Sequence, residues 1–367
     1  MSIIDSLVSS IKTGNKSANG TVGIDIGSSS IKVVELQDRK GVITLTTYGE
    51  LQLGPYTQKP IGSSVTLTAE QEQQALVDVI RESAVQAGQA VFAMPLSSSF
   101  LTNVTIEAES DADVSAMVRV EARKVIPASL SEVTLDWAEV VVAEEKKATK
   151  EKDDTTVRRN ILIAAIQNAA LERFKILMQF TNMSQSPTEI ESFSVLRGLY
   201  SADEKNVAII DVGATSSKLY IVREGMLVRM YRVRAGGVAV TQNLAQELGV
   251  EFEEAESLKC SVVDSDKDYS LVQRMSTSVY SRAFREFTQV LHEYEAKVDL
   301  TLDNIYLCGG GSQFPGLHSQ FRDMIDRDVV PANPFKKVAY PAFMQDALSS
   351  IGPSFTGALG AAMRAFE

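Results

Sequence analysis

Gly23-Ile24-Asp25-Ile26-Gly27-Ser28-Ser29-Ser30-Ile31-Lys32 is the stretch on which the fold turns. An apolar run, an aspartate at its end, a cluster of small residues and a second apolar run together spell strand, tight turn, strand. About 186 residues later the layout returns as Ile209-Ile210-Asp211-Val212-Gly213-Ala214-Thr215-Ser216-Ser217-Lys218. Working outward, the first copy predicts strands at Val22 to Ile26, Ile31 to Leu36 and, after a turn at Asp38 to Gly41, Val42 to Tyr48. The second predicts Val207 to Val212, Lys218 to Val222 and, after Glu224-Gly225, Met226 to Val233. A strand meander duplicated at this distance points to two related halves.

The chemistry of the turns is specific in kind. An aspartate closing a buried strand, followed by small residues in a hairpin, directs backbone N–H groups and hydroxyls at one spot, which suits a phosphate. Gly27, Ser28, Ser29, Ser30 and Lys32 are the expected contacts in the first turn, and Gly213, Ala214, Thr215 and Ser216 in the second. Facing one another, the hairpins would clamp the β and γ phosphates, with Asp25 and Asp211 holding hydrated Mg²⁺ between them. One such hairpin is a common turn, whereas two at matching places carry weight. A third piece, Leu307-Cys308-Gly309-Gly310-Gly311-Ser312, ends a strand in glycines that let backbone approach a flat ring or a sugar.

The 367 residues are 44% hydrophobic and 23% charged, enough to build more than one core. A net charge of −11 disfavours general adhesion to nucleic acid or anionic lipid. Cys260 and Cys308 stand far apart with no CxxC, and His292 and His318 are the only histidines. That excludes a disulfide framework and the common zinc spacings, and disfavours a histidine triad. No window reaches the roughly 18 apolar residues of a membrane span.

Elsewhere the pattern predicts an amphipathic appendage over 1–20, with Ile3, Ile4, Leu7, Val8 and Ile11 at helical spacing. A helix opens at Thr68 with Gln71 as a capping box, carries Leu76, Val79, Ile80, Ala84 and Ala87 on one face, and closes at Gly88. Residues 91–166 read as a smaller α+β unit: a strand at Val91 to Met94, a helix from Asp111 to Val125 stopped by Pro127, and strands at Val133 to Val142 and Val157 to Ile166. The charged stretch Glu144 to Thr156 between the last two is expected to be a solvated loop. Helices follow at Leu171 to Thr181 and Leu271 to Val298, and the chain closes on one from Phe355 to Ala365.

Taken in order and spacing, the two hairpins and the glycine run resemble the phosphate 1, phosphate 2 and adenosine motifs of the actin/Hsp70/sugar-kinase superfamily. The resemblance implies an α/β, ribonuclease H-like duplicated two-lobe fold that binds ATP with Mg²⁺. It places Glu191, in Pro187-Thr188-Glu189-Ile190-Glu191, where the family orients an attacking water, and Glu256 and Lys259 in the adenosine pocket with Gly309, Gly310, Gly311 and Ser312. Where many active relatives carry a second glycine, this chain has Ala214-Thr215, which weakens the expectation of hydrolysis. Cys260 and Val263 replace polar adenosine contacts. Any ATPase activity is therefore expected to be slow.

The insert looks like the relocated subdomain of the FtsA branch, and Glu121 to Pro127 followed by Val133 to Trp137 is similar to the PilM family of type IV pilus assembly. The expected division is an appendage (1–20), a first lobe (21–90), an inserted α+β subdomain (91–166), connecting helices (167–205) and a second lobe (206–367). The resemblance implies a cytoplasmic scaffold at the inner membrane that binds the N-terminal tail of a PilN-like single-span membrane protein and links it to the cytoplasmic motor ATPases. The tail would lie between the first lobe and the insert, over Val125, Ile126, Pro127, Leu135 and Trp137. The alternatives are an FtsA-like filament-forming ATPase or a sugar or small-molecule kinase. A kinase needs a carboxylate base in an acceptor pocket, and the insert offers only Asp136 and Glu139 with no sugar-binding cluster. FtsA relatives end in a linker and a membrane helix, whereas this sequence stops at Phe366-Glu367.

Overall fold

A computed structural model describes residues 20–140, 156–181, 183–185 and 189–367. The appendage pattern at Ile3 to Ile11, most of the charged loop, and Pro187-Thr188 lie outside the described residues.

The chain opens with β1 (Thr21–Ile26), β2 (Ser30–Arg39) and β3 (Val42–Gln52), an antiparallel meander. Helix α1 (Ala69–Glu82) follows, its reciprocal capping box formed by Thr68 and Gln71 and its buried face by Ala75, Leu76 and Val79. It ends earlier than the apolar spacing predicts, because Ala84 turns into left-handed backbone at φ 50°. Strand β4 (Gln89–Met94) then pairs parallel to β1.

The insert comprises β5 (Ser99–Glu109), α2 (Ser115–Val125), β6 (Val133–Glu139) and β7 (Thr156–Gln167), in an antiparallel sheet of order β5-β7-β6. The sequence reading missed β5, although Val104, Ile106 and Ala108 alternate with Thr105, Glu107 and Glu109. Helix α2 starts later than expected because the Asp113 carboxylate accepts from the Ser115 N–H at 2.9 Å, fixing the first turn there. Next come α3 (Asn168–Gln179), the short β8 (Ser184–Gln185) and β9 (Glu189–Ile190) against β4, and α4 (Glu191–Leu199).

The second lobe repeats the plan with β10 (Asn206–Val212), β11 (Ser217–Arg223) and β12 (Met226–Val233), then α5 (Gly237–Leu248), α6 (Phe252–Ser261) and α7 (Tyr269–Val298). Strand β13 (Asn304–Cys308), helix α8 (Leu317–Ile325) and strand β14 (Val330–Pro331) complete it, and helices α9 (Gln345–Ile351) and α10 (Thr356–Met363) end the chain. The sheet orders β3-β2-β1-β4 and β12-β11-β10-β13 match strand for strand, each with an antiparallel meander and one parallel neighbour.

Residues at the end of the chain do not stay with the second lobe, which corrects the expected 206–367 unit. Phe335, Val338, Leu348, Phe355, Ala358 and Leu359 form one buried cluster with Val34, Leu36 and Leu45 of the first sheet. Strand β2 is apolar on both faces, so its outer face requires a cover, and the returning chain supplies it. Helix α10 crosses α4 so closely that a Cβ on Gly360 would lie 1.8 Å from the Ser194 carbonyl oxygen.

The two faces of the insert sheet do different things. Leu101, Leu162, Ala164 and Ile166 join the first lobe's core with Phe92 and Phe174. Ile161, Ile163 and Ala165 face α2, packing with Val118 and Ala122. Strand β5 also leans on the second lobe, where the Asn103 side-chain amide donates to the Val228 carbonyl of β12.

Candidate functional site

The two hairpins are superimposable in register. Asp25 pairs across its hairpin with Lys32, and Asp211 pairs with Lys218. Each turn is closed by the same backbone bond: the Gly27 N–H donates to the Ser30 carbonyl and the Gly213 N–H to the Ser216 carbonyl, both at 3.0 Å. The turns meet across a cleft of about 1000 Å³, and the Ser28 and Thr215 hydroxyls stand 3.5 Å apart. A volume at the upper end of the small-molecule range accommodates a nucleotide. All nine predicted phosphate contacts, together with Asp25 and Asp211, line this cleft.

Its floor concentrates charge. Burial pushes the Asp25 carboxyl up to about 6; Lys32 and Lys218 act to lower it, while Glu191 and Asp211 push it further up. The Lys218 ammonium bridges Glu191 Oε1 at 2.8 Å and Asp211 Oδ2 at 3.1 Å. Burial alone would lower its affinity for a proton, but Asp211 and Glu191 outweigh burial and hold it well above the ordinary lysine range. Glu191 Oε1 accepts in addition from the Leu96 N–H at 3.0 Å. Lys32 has different company, donating to Ser30 Oγ at 2.7 Å and pairing with Glu50 at 3.1 Å. The sequence reading used Lys32 and passed over Lys218, although the repeat itself places one lysine seven positions after each aspartate.

On the opposite side, α6 brings Glu256 and Lys259 to the cleft wall. Lys259 Nζ donates to Glu256 Oε2 at 2.6 Å and to Thr241 Oγ1 at 2.9 Å, and Thr241 also donates to Glu256. The glycine run behaves unequally. A Cβ on Gly309, which has φ +86°, would come within 2.3 Å of Asp211 Oδ1, so this glycine serves the packing of the loop onto β10. Gly311 packs against Val212 in the same way, and only Gly310 opens onto free space. Ser312 is a correction: its hydroxyl donates to its own turn, to the Gly309 carbonyl at 2.6 Å, and it does not line the cleft. Arg232, which donates to Ser216 Oγ at 3.3 Å, does line it and escaped sequence reasoning because it comes from the third strand of the meander.

The expected partner groove is redrawn by the structure. Ile126 is 5% exposed and belongs to the insert's own core. Leu135 and Trp137 stand opposite Ala165 and Ile163, on the α2 face rather than the face turned to the first lobe. Helix α2 lies over β5 and β7, leaving these two side chains half-buried beside the outer edge of β6. Val125 and Pro127 are exposed at the end of α2. Met117 and Val120, an i, i+3 pair on α2, are exposed as well.

Two half-sheets of identical order, paired hairpins and a cleft between them define an actin-like, two-lobe fold. A structure described as a PilM-PilN type IV pilus biogenesis complex is similar, with a TM-score of 0.78 at 22% identity, covering 95% of this chain and 99% of that one. The chain belongs to the family of the type IV pilus assembly protein PilM, whose model matches residues 23–366. The ethanolamine utilization protein EutJ of Carboxydothermus hydrogenoformans shares the fold at a TM-score of 0.53 and 14% identity, covering 98% of this chain and 94% of that one. MreB5 of Spiroplasma citri bound to ADP does so at 0.51 and 12% identity, covering 90% and 97%. The cell division protein FtsA of Bacillus subtilis (strain 168) is 24% identical over 156 residues; the match spans 36% of this chain and 36% of that relative's length.

Proposed function

We propose that this protein is a nucleotide-binding scaffold of type IV pilus assembly, in which Mg·ATP sets the relation of the lobes and the insert captures the N-terminal cytoplasmic tail of a PilN-like membrane protein. The observation that carries the nucleotide reading is the pair of register-matched hairpins facing across one cleft. The similar MreB5 structure is described with ADP bound.

The residues fit the ligand by their chemistry. Ser28, Ser29, Thr215 and Lys32 offer hydroxyl and ammonium donors for a polyphosphate, and Gly310, Glu256 and Lys259 border the side left for a nucleoside. Among the described residues no group of three or more His, Cys, Asp or Glu side chains could hold a metal directly. Asp25 and Asp211 therefore fit a Mg²⁺ gripped through its water shell, as that ion prefers. The metal would supply charge neutralisation to the phosphates.

For the tail, β6 is an edge strand of its sheet among the described residues, and an edge beside half-buried Leu135 and Trp137 offers backbone pairing together with apolar contacts. The similar PilM-PilN complex is a precedent for such a partner. No helix among the described residues is long and apolar enough to cross a membrane, so we assign the protein's hold on the inner membrane, at its cytoplasmic face, to that tail.

The test is isothermal titration with a synthetic PilN-like tail peptide, with and without Mg·ATP, beside a phosphate-release assay. Saturable peptide binding with little turnover is expected. Rapid phosphate release without peptide binding would instead assign the protein to the catalysts or dynamic filaments of this fold.

A further inference from the structure

We propose that Lys218 is a built-in counter-ion that locks Glu191 to Asp211, so that the cleft holds nucleoside triphosphate without hydrolysing it. The inference rests on the nucleotide reading above and deepens it. It starts from a broken symmetry. The two hairpins agree in strand register and turn closure, and their lysines are equally buried, 13% and 12% exposed, yet they take different partners. Lys32 pairs with Glu50, whose side chain is 33% exposed. Lys218 pairs with two carboxylates that are 14% and 13% exposed.

Hydrolysis requires a water oxygen to bond to the terminal phosphorus while the bond from that phosphorus to the bridging oxygen breaks. The products are the diphosphate and inorganic phosphate, and the water's proton passes to a base within reach. Glu191 lines the cleft and is the carboxylate to which the family resemblance gives that task. Its Oε1 is already taken by the Lys218 ammonium at 2.8 Å and the Leu96 N–H at 3.0 Å. The ammonium that holds Glu191 is itself largely buried and shared with Asp211, and breaking such a pair from one side is costly. The same ammonium pairs with Asp211 at 3.1 Å, so one side chain ties the second hairpin to the helix that carries Glu191. Lys218 is thus a positioning residue acting through Glu191 and Asp211.

Lys218→Gln tests this with two readouts: phosphate release, and the calorimetric affinity for ATP measured in Mg²⁺ and in chelator. The variant is expected to release phosphate about tenfold faster or more, within the range of a freed general base. Its affinity should depend on Mg²⁺ more steeply than the wild type's, because the two carboxylates are left without a counter-charge. Adding Glu191→Gln to Lys218→Gln should return phosphate release to the wild-type level, which a merely structural lysine would not predict. Glu191→Gln alone keeps the shape of the site while loosening its hold on the ammonium. It is expected to raise the Mg²⁺-free affinity for ATP roughly threefold or more, and it decides the matter if Lys218→Gln does not fold. Unchanged release and unchanged Mg²⁺ dependence in Lys218→Gln, or no rise in affinity in Glu191→Gln, overturns the lock. Absence of any ATP binding by the wild type overturns the nucleotide reading itself.

Discussion

Asp25 and Asp211 occupy the same position in two copies of one hairpin and meet opposite surroundings. Asp25 is half-buried, and loss of solvent raises its carboxyl from 3.8 to about 6 against the pull of Lys32 and Lys218, whereas Asp211 has an ammonium at 3.1 Å. Replacing either with Ala should abolish calorimetric Mg·ATP binding, and retained affinity in both would remove the phosphate clamp. Their stabilities should diverge in sign. Asp25→Ala relieves a charge whose burial costs on the order of 3 kcal/mol at neutral pH, so its melting temperature should rise. Asp211→Ala strips Lys218 of one partner, and its melting temperature should fall. A second residue gives a pH signature. Burial lowers the Lys337 ammonium from 10.5 to about 8 while it donates to the Arg197 carbonyl at 2.8 Å. Between those values the unfolded chain holds this proton more tightly than the folded one, so this group makes stability rise with pH across that window. The rise in melting temperature attributable to it should vanish in Lys337→Met. At this scale the aspartates and turn residues were legible because they are local, repeated patterns. Lys218 was written in the same repeat, but its partner Glu191 belongs to another helix, and no local rule pairs them.

Among the elements, those with local grammar were readable and those defined by a distant partner were not. The Thr68 and Gln71 capping box and the two meanders follow from adjacent residues, and the structure has them where the sequence placed them. The return of α10 to the first sheet was not readable, because an Ala- and Gly-rich helix shows little amphipathic pattern. Its small residues make sense only against α4. Gly360→Ala would drive a methyl group into the Ser194 carbonyl, and we expect a loss of about 1 to 3 kcal/mol in chemical denaturation, as for overpacked cores. A neutral result would show that the two helices can separate freely. At β6, Trp137→Ala should weaken tail-peptide binding more than ATP binding. Equal affinity for the peptide would remove this edge from the partner surface and return the question to the face between insert and lobe.

Across the whole molecule, the insert is rooted in the first lobe through Leu162, Ala164 and Ile166 and touches the second through Asn103 and Val228. A change in the angle between lobes must therefore pull on β5 or release it. Mg·ATP is expected to alter amide exchange in β5 and β12 as well as in the hairpins. Protection confined to the hairpins would mean that nucleotide and insert are uncoupled. Such coupling shifts the population of tail-competent molecules only by the difference in nucleotide affinity between the two arrangements.

The matched hairpins also have a consequence for direction. A polyphosphate entering the cleft meets an aspartate, a tight turn and hydroxyls from either wall, so the backbone of the two turns is close to palindromic and only the pairing of their lysines differs. What tells one end from the other is the unduplicated wall formed by Gly310, Glu256 and Lys259. The nucleoside then works chiefly as a compass: bare tripolyphosphate, whose two ends are alike, has no heading to choose, whereas a ligand carrying a base arrives with the one this wall sets.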